Sequence, residues 1–90
     1  GARKRDRRVE LLEAYAGWLK ERGSIGDVQE LGEATKAWVQ DHDAKIPDLF
    51  QPLRCALTGQ PGGPDLFQTL DLLGFDASLA RIAAGARRLA

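Results

Sequence analysis

The chain has 90 residues, of which 43% are hydrophobic, a length and composition typical of one globular domain with one core and not of a disordered chain. No apolar run approaches the roughly 20 residues of a membrane span, and no signal peptide is recognisable at the start. Thirteen basic and thirteen acidic side chains give a net charge of zero, so any binding of RNA or DNA must come from a local patch.

The charges are unevenly distributed. Residues 1–23 hold seven basic and four acidic side chains, residues 24–50 hold two and six, and residues 51–90 hold four and three. We interpret residues 1–90 as a single helical domain in which the basic stretch 1–8 is a frayed terminus or a linker. Contacts from this stretch to phosphates are the alternative.

Two amphipathic helices are predicted in the first half of the chain. The first ends at Gly23 and has apolar residues at steps of three and four, namely Val9, Leu11, Leu12, Tyr15, Trp18 and Leu19. Asp27 is a favourable N-cap for the second, which ends before Pro47 because the residue before a proline is disfavoured in a helix. The second apolar stripe consists of Val28, Leu31, Thr35, Trp38 and Val39.

Three shorter helices are predicted in the second half. The third covers residues 49–57, with Pro52 either in its first turn or at a kink inside it. The fourth covers residues 64–73, with a proline as its first residue. The last is capped by Asp76 or Ser78, and its apolar residues are Leu79, Ile82, Ala83, Ala86 and Leu89. Because alternating strand patterns are absent, we predict an all-α fold, a compact bundle of about five short helices.

No catalytic motif is recognisable. Gly62 and Gly63 lack the preceding strand and the lysine of a phosphate-binding loop. The spacing of Ser24, Ser78 and His42 does not suggest a nucleophilic triad. One cysteine excludes an internal disulfide, and together with one histidine it cannot complete a zinc site without carboxylates. The sequence therefore indicates a binding or structural module in a reducing compartment, the cytoplasm.

Four conspicuous side chains have structural explanations that we favour. Trp18 and Trp38 lie in apolar stripes and are assigned to the core, with base stacking as the alternative. Cys55 is predicted to be a buried small hydrophobic residue. His42, between two aspartates, is predicted to lie at a solvated helix end.

Residues 51–75 resemble a known family. The blocks are Pro52-Leu53-Arg54, Ala56-Leu57-Thr58-Gly59, Pro64 followed by Leu66-Phe67, and Leu72-Leu73-Gly74. With this spacing they closely resemble the C-terminal anticodon-binding domain of bacterial-type glutamyl-tRNA synthetases. The specific match covers about a quarter of the chain, and the helical pattern of most of the rest is compatible with it.

The resemblance implies a class I aminoacyl-tRNA synthetase, in which helical domains that bind the anticodon follow a Rossmann catalytic domain. The HIGH-like and KMSKS-like catalytic motifs do not occur in these residues, so this chain alone is not expected to be an enzyme or to hold a cofactor. ATP and Mg²⁺ would serve the parent protein, a glutamate–tRNA ligase. The expected partners are the anticodon loop of tRNA-Glu and the remaining domains of the parent, with no membrane contact and a monomeric state.

By resemblance, five residues lie on the face that meets the anticodon loop: Arg54, Gly63, Pro64, Leu66 and Phe67. A planar guanidinium offers a fork of donors that fits base acceptors or phosphate oxygens. Residues 60–67 form a loop that enters a helix N-terminus, whose free N–H groups favour such oxygens. Leu66 and Phe67 are expected to be mainly core residues as well.

Two positions depart from the family pattern. Relatives often have serine or threonine in place of Gly63, so a hydroxyl contact to RNA is lost. They commonly have a small residue in place of Asp65, which here puts a negative charge near the RNA face. An aspartate in a first helical turn also has a local role, since it complements the helix dipole.

The alternative function is a helical protein-interaction or regulatory domain derived from this fold, with no RNA partner. The acidic face around Glu30, Glu33 and Asp41 would then suit a basic protein partner. In that case Arg54 is an ordinary helix arginine whose stem packs on the core.

Overall fold

The computed structural model describes residues 7–59 and 65–89. These residues form five α-helices and no strand, which confirms the predicted all-α class. The helices are α1 (Arg7–Arg22), α2 (Val28–Asp41), α3 (Ile46–Thr58), α4 (Leu66–Leu73) and α5 (Phe75–Leu89). The longest has 16 residues, and none in this part of the chain is long and apolar enough to cross a bilayer.

One core joins all five helices. Helices α1, α3 and α5 pack against one another, α2 and α4 pack on each other and on α3, and α4 also packs on α5. The largest fully buried side chains are Tyr15, Leu12, Leu19, Leu31, Leu49, Leu53, Leu57, Leu70 and Ile82. They come from every helix and lie in the apolar stripes, so the period of three to four residues identifies most of each buried face; Ala83, predicted on the apolar face of the last helix, is exposed.

The described part of the basic stretch, residues 7 and 8, is helical and belongs to α1. The guanidinium of Arg7 donates from Nη2 to the carbonyl oxygen of His42 at 2.5 Å. His42 itself caps the C-terminal end of α2 and is exposed, as predicted. This contact ties the start of α1 to the end of α2.

Helix α3 starts earlier than predicted and continues through a proline. It begins at Ile46 with Pro47 in its first turn, where a missing N–H has no intrahelical acceptor to lose. The Asp48 carboxylate accepts a hydrogen bond from the N–H of Lys45 at 2.9 Å and closes this turn. Pro52 lies inside the helix and is buried, so the first-turn alternative is wrong. Burial of the ring offsets part of the cost of the missing hydrogen bond.

The corner between α4 and α5 is a single residue. Gly74 has φ of 89°, which a residue with a Cβ rarely adopts, and α5 begins directly at Phe75. The predicted cap at Asp76 or Ser78 is therefore wrong. Ser78 is fully buried within α5, and its hydroxyl donates to the Leu70 carbonyl oxygen at 3.2 Å, which fastens α5 to α4.

Two side chains, Cys55 and Trp18, differ from their predicted environment, whereas Trp38 does not. Cys55 is exposed, because the buried stripe of α3 passes through Leu53 and Ala56 and leaves position 55 on the solvent side. Trp38 is 7% exposed and belongs to the core as predicted. Trp18 is only partly buried and packs against the edge of that core.

Helices α3 and α5 approach each other most closely at Ala56 and Gly85. A Cβ atom built on Gly85 would lie 2.4 Å from the Cβ of Ala56 and 3.0 Å from its Cα. Real Cβ atoms do not approach other atoms this closely. The distance between these two helices therefore depends on the missing side chain of one glycine.

Candidate nucleic-acid interface

Helices α2, α3 and α4 line an open groove of about 700 Å³. Its α2 side includes Gly32, Glu33 and Lys36, its α3 side Phe50 and Arg54, and its α4 side residues 65–68. The groove therefore brings the predicted arginine next to the start of α4.

Three of the five predicted site residues meet in this groove. Arg54 is partly exposed and lines it together with Leu66 and Phe67. Leu66 and Phe67 are 2% and 7% exposed, so their side chains belong mainly to the core, as expected. Gly63 and Pro64 lie outside the described residues. Arg54 is thus neither buried in the interior nor on the far side from α4.

A glycine on α2 sets the position of the Phe67 ring. A Cβ on Gly32 would lie 3.2 Å from Cδ2 of Phe67, so the absence of a side chain lets the ring lie directly on α2. The Phe67 ring in turn contacts Phe50, with ring centroids 5.5 Å apart and planes at 75°. The side of the groove formed by Phe50 is thereby supported from the core.

The N-terminus of α4 is capped from within the chain. One oxygen of the Asp65 carboxylate accepts from the backbone N–H of Phe67 at 2.9 Å and of Gln68 at 3.1 Å. The expectation that these N–H groups are free to meet RNA oxygens is therefore wrong. Asp65 is the N-cap itself, and α4 begins at Leu66 instead of residue 64.

Acidic and basic side chains share the groove. The carboxylates are those of Asp27, Glu33 and Asp65, and the cations are Lys36 and Arg54. Asp27 also caps α2, since it accepts from the N–H of Glu30 at 2.8 Å. A surface that follows a phosphate backbone carries an excess of cations, whereas contacts to base edges do not need one. The charge of this groove suits bases better than phosphates.

The acidic face that favoured a basic protein partner is partly paired within the chain. Arg22 forms an ion pair with Glu30, with Nη2 and Oε1 2.5 Å apart. Hydrogen bonding to this guanidinium holds the pKa of Glu30 below its usual value, and the pKa of Arg22 is raised in return. Arg22 also lies 5.2 Å from the ring centre of Trp18. Glu30 therefore already has a cationic partner.

Metal ligation has no candidate in the described ranges. Residues 7–59 and 65–89 contain no group of three or more histidine, cysteine, aspartate or glutamate side chains that could hold a metal ion. What this groove offers chemically is hydrogen bonding and stacking around one guanidinium.

Gly32 and Phe50 are among the groove residues that the sequence analysis did not single out. For Phe50 a signal was available, because it precedes Arg54 by four residues and positions i and i+4 share a helix face. For Gly32 there was none, since its role depends on a ring from another helix.

Comparison with known protein families identifies this α-helical domain. The chain belongs to the anticodon binding domain family, whose model matches residues 2–86. No significant match was found among solved structures. The resemblance stated from residues 51–75 is therefore confirmed over most of the chain.

Three similar curated proteins are glutamate–tRNA ligases. The chain is 38% identical over 80 residues to glutamate–tRNA ligase 1 of Aliarcobacter butzleri, covering 88% of this chain and 17% of that protein. It is 40% identical over 74 residues to glutamate–tRNA ligase 1 of Wolinella succinogenes, covering 81% and 16%. It is 48% identical over 79 residues to the glutamate–tRNA ligase of Mycobacterium sp. strain KMS, covering 86% and 16%. The chain thus spans about a sixth of the length of these relatives and corresponds to their anticodon-binding domain, not to a whole ligase.

Proposed function

We propose that this domain binds the anticodon loop of tRNA-Glu in the groove between α2, α3 and α4, as the anticodon-recognition part of a glutamate–tRNA ligase. The observation that carries the proposal is the shared position of Arg54 and the start of α4 in one groove, in a chain of the anticodon-binding family. Ligation itself, with ATP and Mg²⁺, belongs to the remaining domains of the parent protein. This chain needs no cofactor and acts as a monomeric module in the cytoplasm.

Recognition follows from the chemistry of unpaired bases. Proteins bind such bases by splaying them out, stacking them and hydrogen-bonding their edges. The donors of Arg54 are presented from a helix whose neighbouring residues Leu53 and Leu57 are buried, so the base of the side chain is fixed. Because the groove has few cations, phosphate contacts contribute little, and the affinity should depend only modestly on salt.

Replacing Arg54 by alanine tests the proposal. Arg54→Ala should weaken binding of a tRNA-Glu anticodon stem-loop by roughly five- to 150-fold, since a paired guanidinium–base contact contributes about 1–3 kcal/mol. The thermal unfolding curve should change little because the side chain is partly exposed. The measurement is a titration at one stated salt concentration, followed by NMR shifts of the domain.

The matched control is Lys20→Ala, which removes a cation from an exposed position of α1. It should leave the affinity almost unchanged. Equal affinity of wild type and Arg54→Ala, or shifts that avoid the groove, would contradict the proposal.

Asp65 gives a prediction of opposite sign. Asp65→Asn keeps an N-cap of similar quality and removes the negative charge beside the groove, so the stem-loop should bind a few-fold more tightly while stability is nearly unchanged. Asp65→Ala should lose about 1 kcal/mol of stability, because two N–H groups of α4 lose their acceptor. Urea denaturation and the same titration measure both effects. Weaker binding by Asp65→Asn would show that the carboxylate itself contacts the RNA.

A further inference from the structure

We propose that the ring of Phe50 is a stacking platform for one unpaired base in this groove, and that Phe67 and Gly32 hold the ring in place. The inference rests on the proposed function, because it names the surface on which a base of the bound loop lies. In this arrangement Arg54 contacts the edge of the base, and Phe50 contacts its face.

The position of Phe50 relative to Arg54 supports this role. Phe50 is a partly exposed aromatic residue that lines the groove, one helical turn before Arg54 on α3. Residues four apart on a helix have Cβ atoms about 5–6 Å from each other. A base stacked on Phe50 therefore has its edge within reach of the donors of Arg54.

The ring is supported from behind. Phe67 is 7% exposed and meets Phe50 nearly perpendicularly, a contact that leaves at least one face of the Phe50 ring uncovered by Phe67. The Phe67 ring lies against Gly32. A Cβ atom on Gly32 would be 3.2 Å from Cδ2 of Phe67, so the ring fits there only because Gly32 has no side chain. A platform fixed before binding loses little conformational entropy when the base arrives.

The charge of the groove favours a nucleobase as the occupant. Three carboxylates and two cations line it, which disfavours phosphate, but a neutral ring stacks on an aromatic face whatever the charge around it. The tryptophans Trp18 and Trp38 do not line this groove. Among its described lining residues the aromatic ones are Phe50 and Phe67, and Phe67 is in the core.

The test is binding of the tRNA-Glu anticodon stem-loop by Phe50 variants of the 90-residue chain. Phe50→Leu keeps an apolar side chain but removes the aromatic face, and should weaken binding about tenfold, as expected for one base–aromatic contact. Phe50→Tyr keeps the face and should bind within about twofold of wild type. Leu72→Ala, at an 87% exposed position outside the groove, is the control and should have no effect.

A second measurement does not depend on any variant. In the wild-type complex, NMR should show intermolecular NOEs from the Phe50 ring protons to the protons of one base, and an upfield ring-current shift of those base protons. Their absence overturns the inference, even if Phe50→Leu fails to fold.

The outcomes separate the two proposals. If the wild type does not bind the stem-loop, the proposed function fails and the stacking inference with it. If the wild type binds and Arg54→Ala weakens binding, but Phe50→Leu binds as well as wild type, only the stacking inference is overturned. Loss of affinity in Phe50→Leu together with retention in Phe50→Tyr supports it.

Discussion

Gly85→Ala is expected to destabilise the domain by about 3 kcal/mol, at the upper end of the usual cost of overpacking. The new methyl group would lie 2.4 Å from the Cβ of Ala56 and 3.0 Å from its backbone Cα, and neither atom belongs to a flexible side chain that could move away. Helices α3 and α5 would have to separate. For a domain of this size the loss corresponds to a fall in Tm on the order of 15 °C, measurable by circular dichroism.

Another glycine in a helix provides the matched control for this substitution. Gly17 lies within α1 with nothing within 4 Å of its Cβ position, so Gly17→Ala should stabilise the domain by about 0.5–1 kcal/mol through helix propensity. Combining Gly85→Ala with Ala56→Gly removes the 2.4 Å contact between the two Cβ atoms and should restore part of the lost stability, since the contact with the Cα atom remains and a glycine inside α3 lowers helix propensity. A Gly85→Ala variant that melts at or above the wild-type temperature would show that the two helices are not held at this distance.

The free energy of unfolding is expected to fall by about 2 kcal/mol as pH rises from 10 to 12, because of Tyr15. The side chain is fully buried and forms a hydrogen bond of 2.9 Å with Oγ1 of Thr35. Burial raises the pKa of Tyr15 from 10.0 to about 12. The unfolded chain therefore loses the phenolic proton near pH 10 while the folded chain keeps it. The stabilising effect is complete below pH 10 and is lost as pH approaches the folded-state value.

Comparison with Tyr15→Phe isolates this effect from lysine and arginine titration. At pH 7 the variant should be about 1 kcal/mol less stable, since the buried Thr35 hydroxyl loses its partner. Near pH 11 the two proteins should be equally stable, and at pH 12 the variant should be the more stable one. Tyr15 is the single tyrosine of the chain, so tyrosinate absorbance reports its titration directly. A stability difference that stays constant from pH 9 to 12 would contradict the assignment.

Local patterns accounted for most of the helical architecture. The N-cap at Asp27 was located correctly, because a cap depends on a few adjacent residues. Two further features depend on contacts with the core or with another helix: the sequence left open whether Pro52 lies in the first turn of α3 or inside it, and the predicted cap at Asp76 or Ser78 was wrong. Pro52 lies inside α3 with its ring buried in the core, and Ser78 lies inside α5 with its hydroxyl on Leu70. Neither contact can be deduced from the residues that neighbour Pro52 or Ser78 in the sequence.

Only part of the candidate site was predicted, because some of its contacts join residues that are far apart in the chain. The family resemblance identified Arg54 and the start of α4, and the structure brings them together in one groove. The capping role of Asp65 could have been deduced from its position, because an aspartate before a helical run is a common N-cap. The support of Phe50 by Phe67 and Gly32 could not, because it joins residues from three helices.

The amino-acid sequence by itself determined that this chain is a five-helix domain, which faces of the helices are buried, and to which family it belongs. These properties follow from apolar spacing, capping residues and short motifs, all of which act over a few neighbouring residues. The tertiary structure alone decided how closely α3 and α5 approach at Gly85, and which side chains share the groove with Arg54. The physical reason is that both depend on the shapes of side chains far apart in the chain, which are in contact only once the helices have packed.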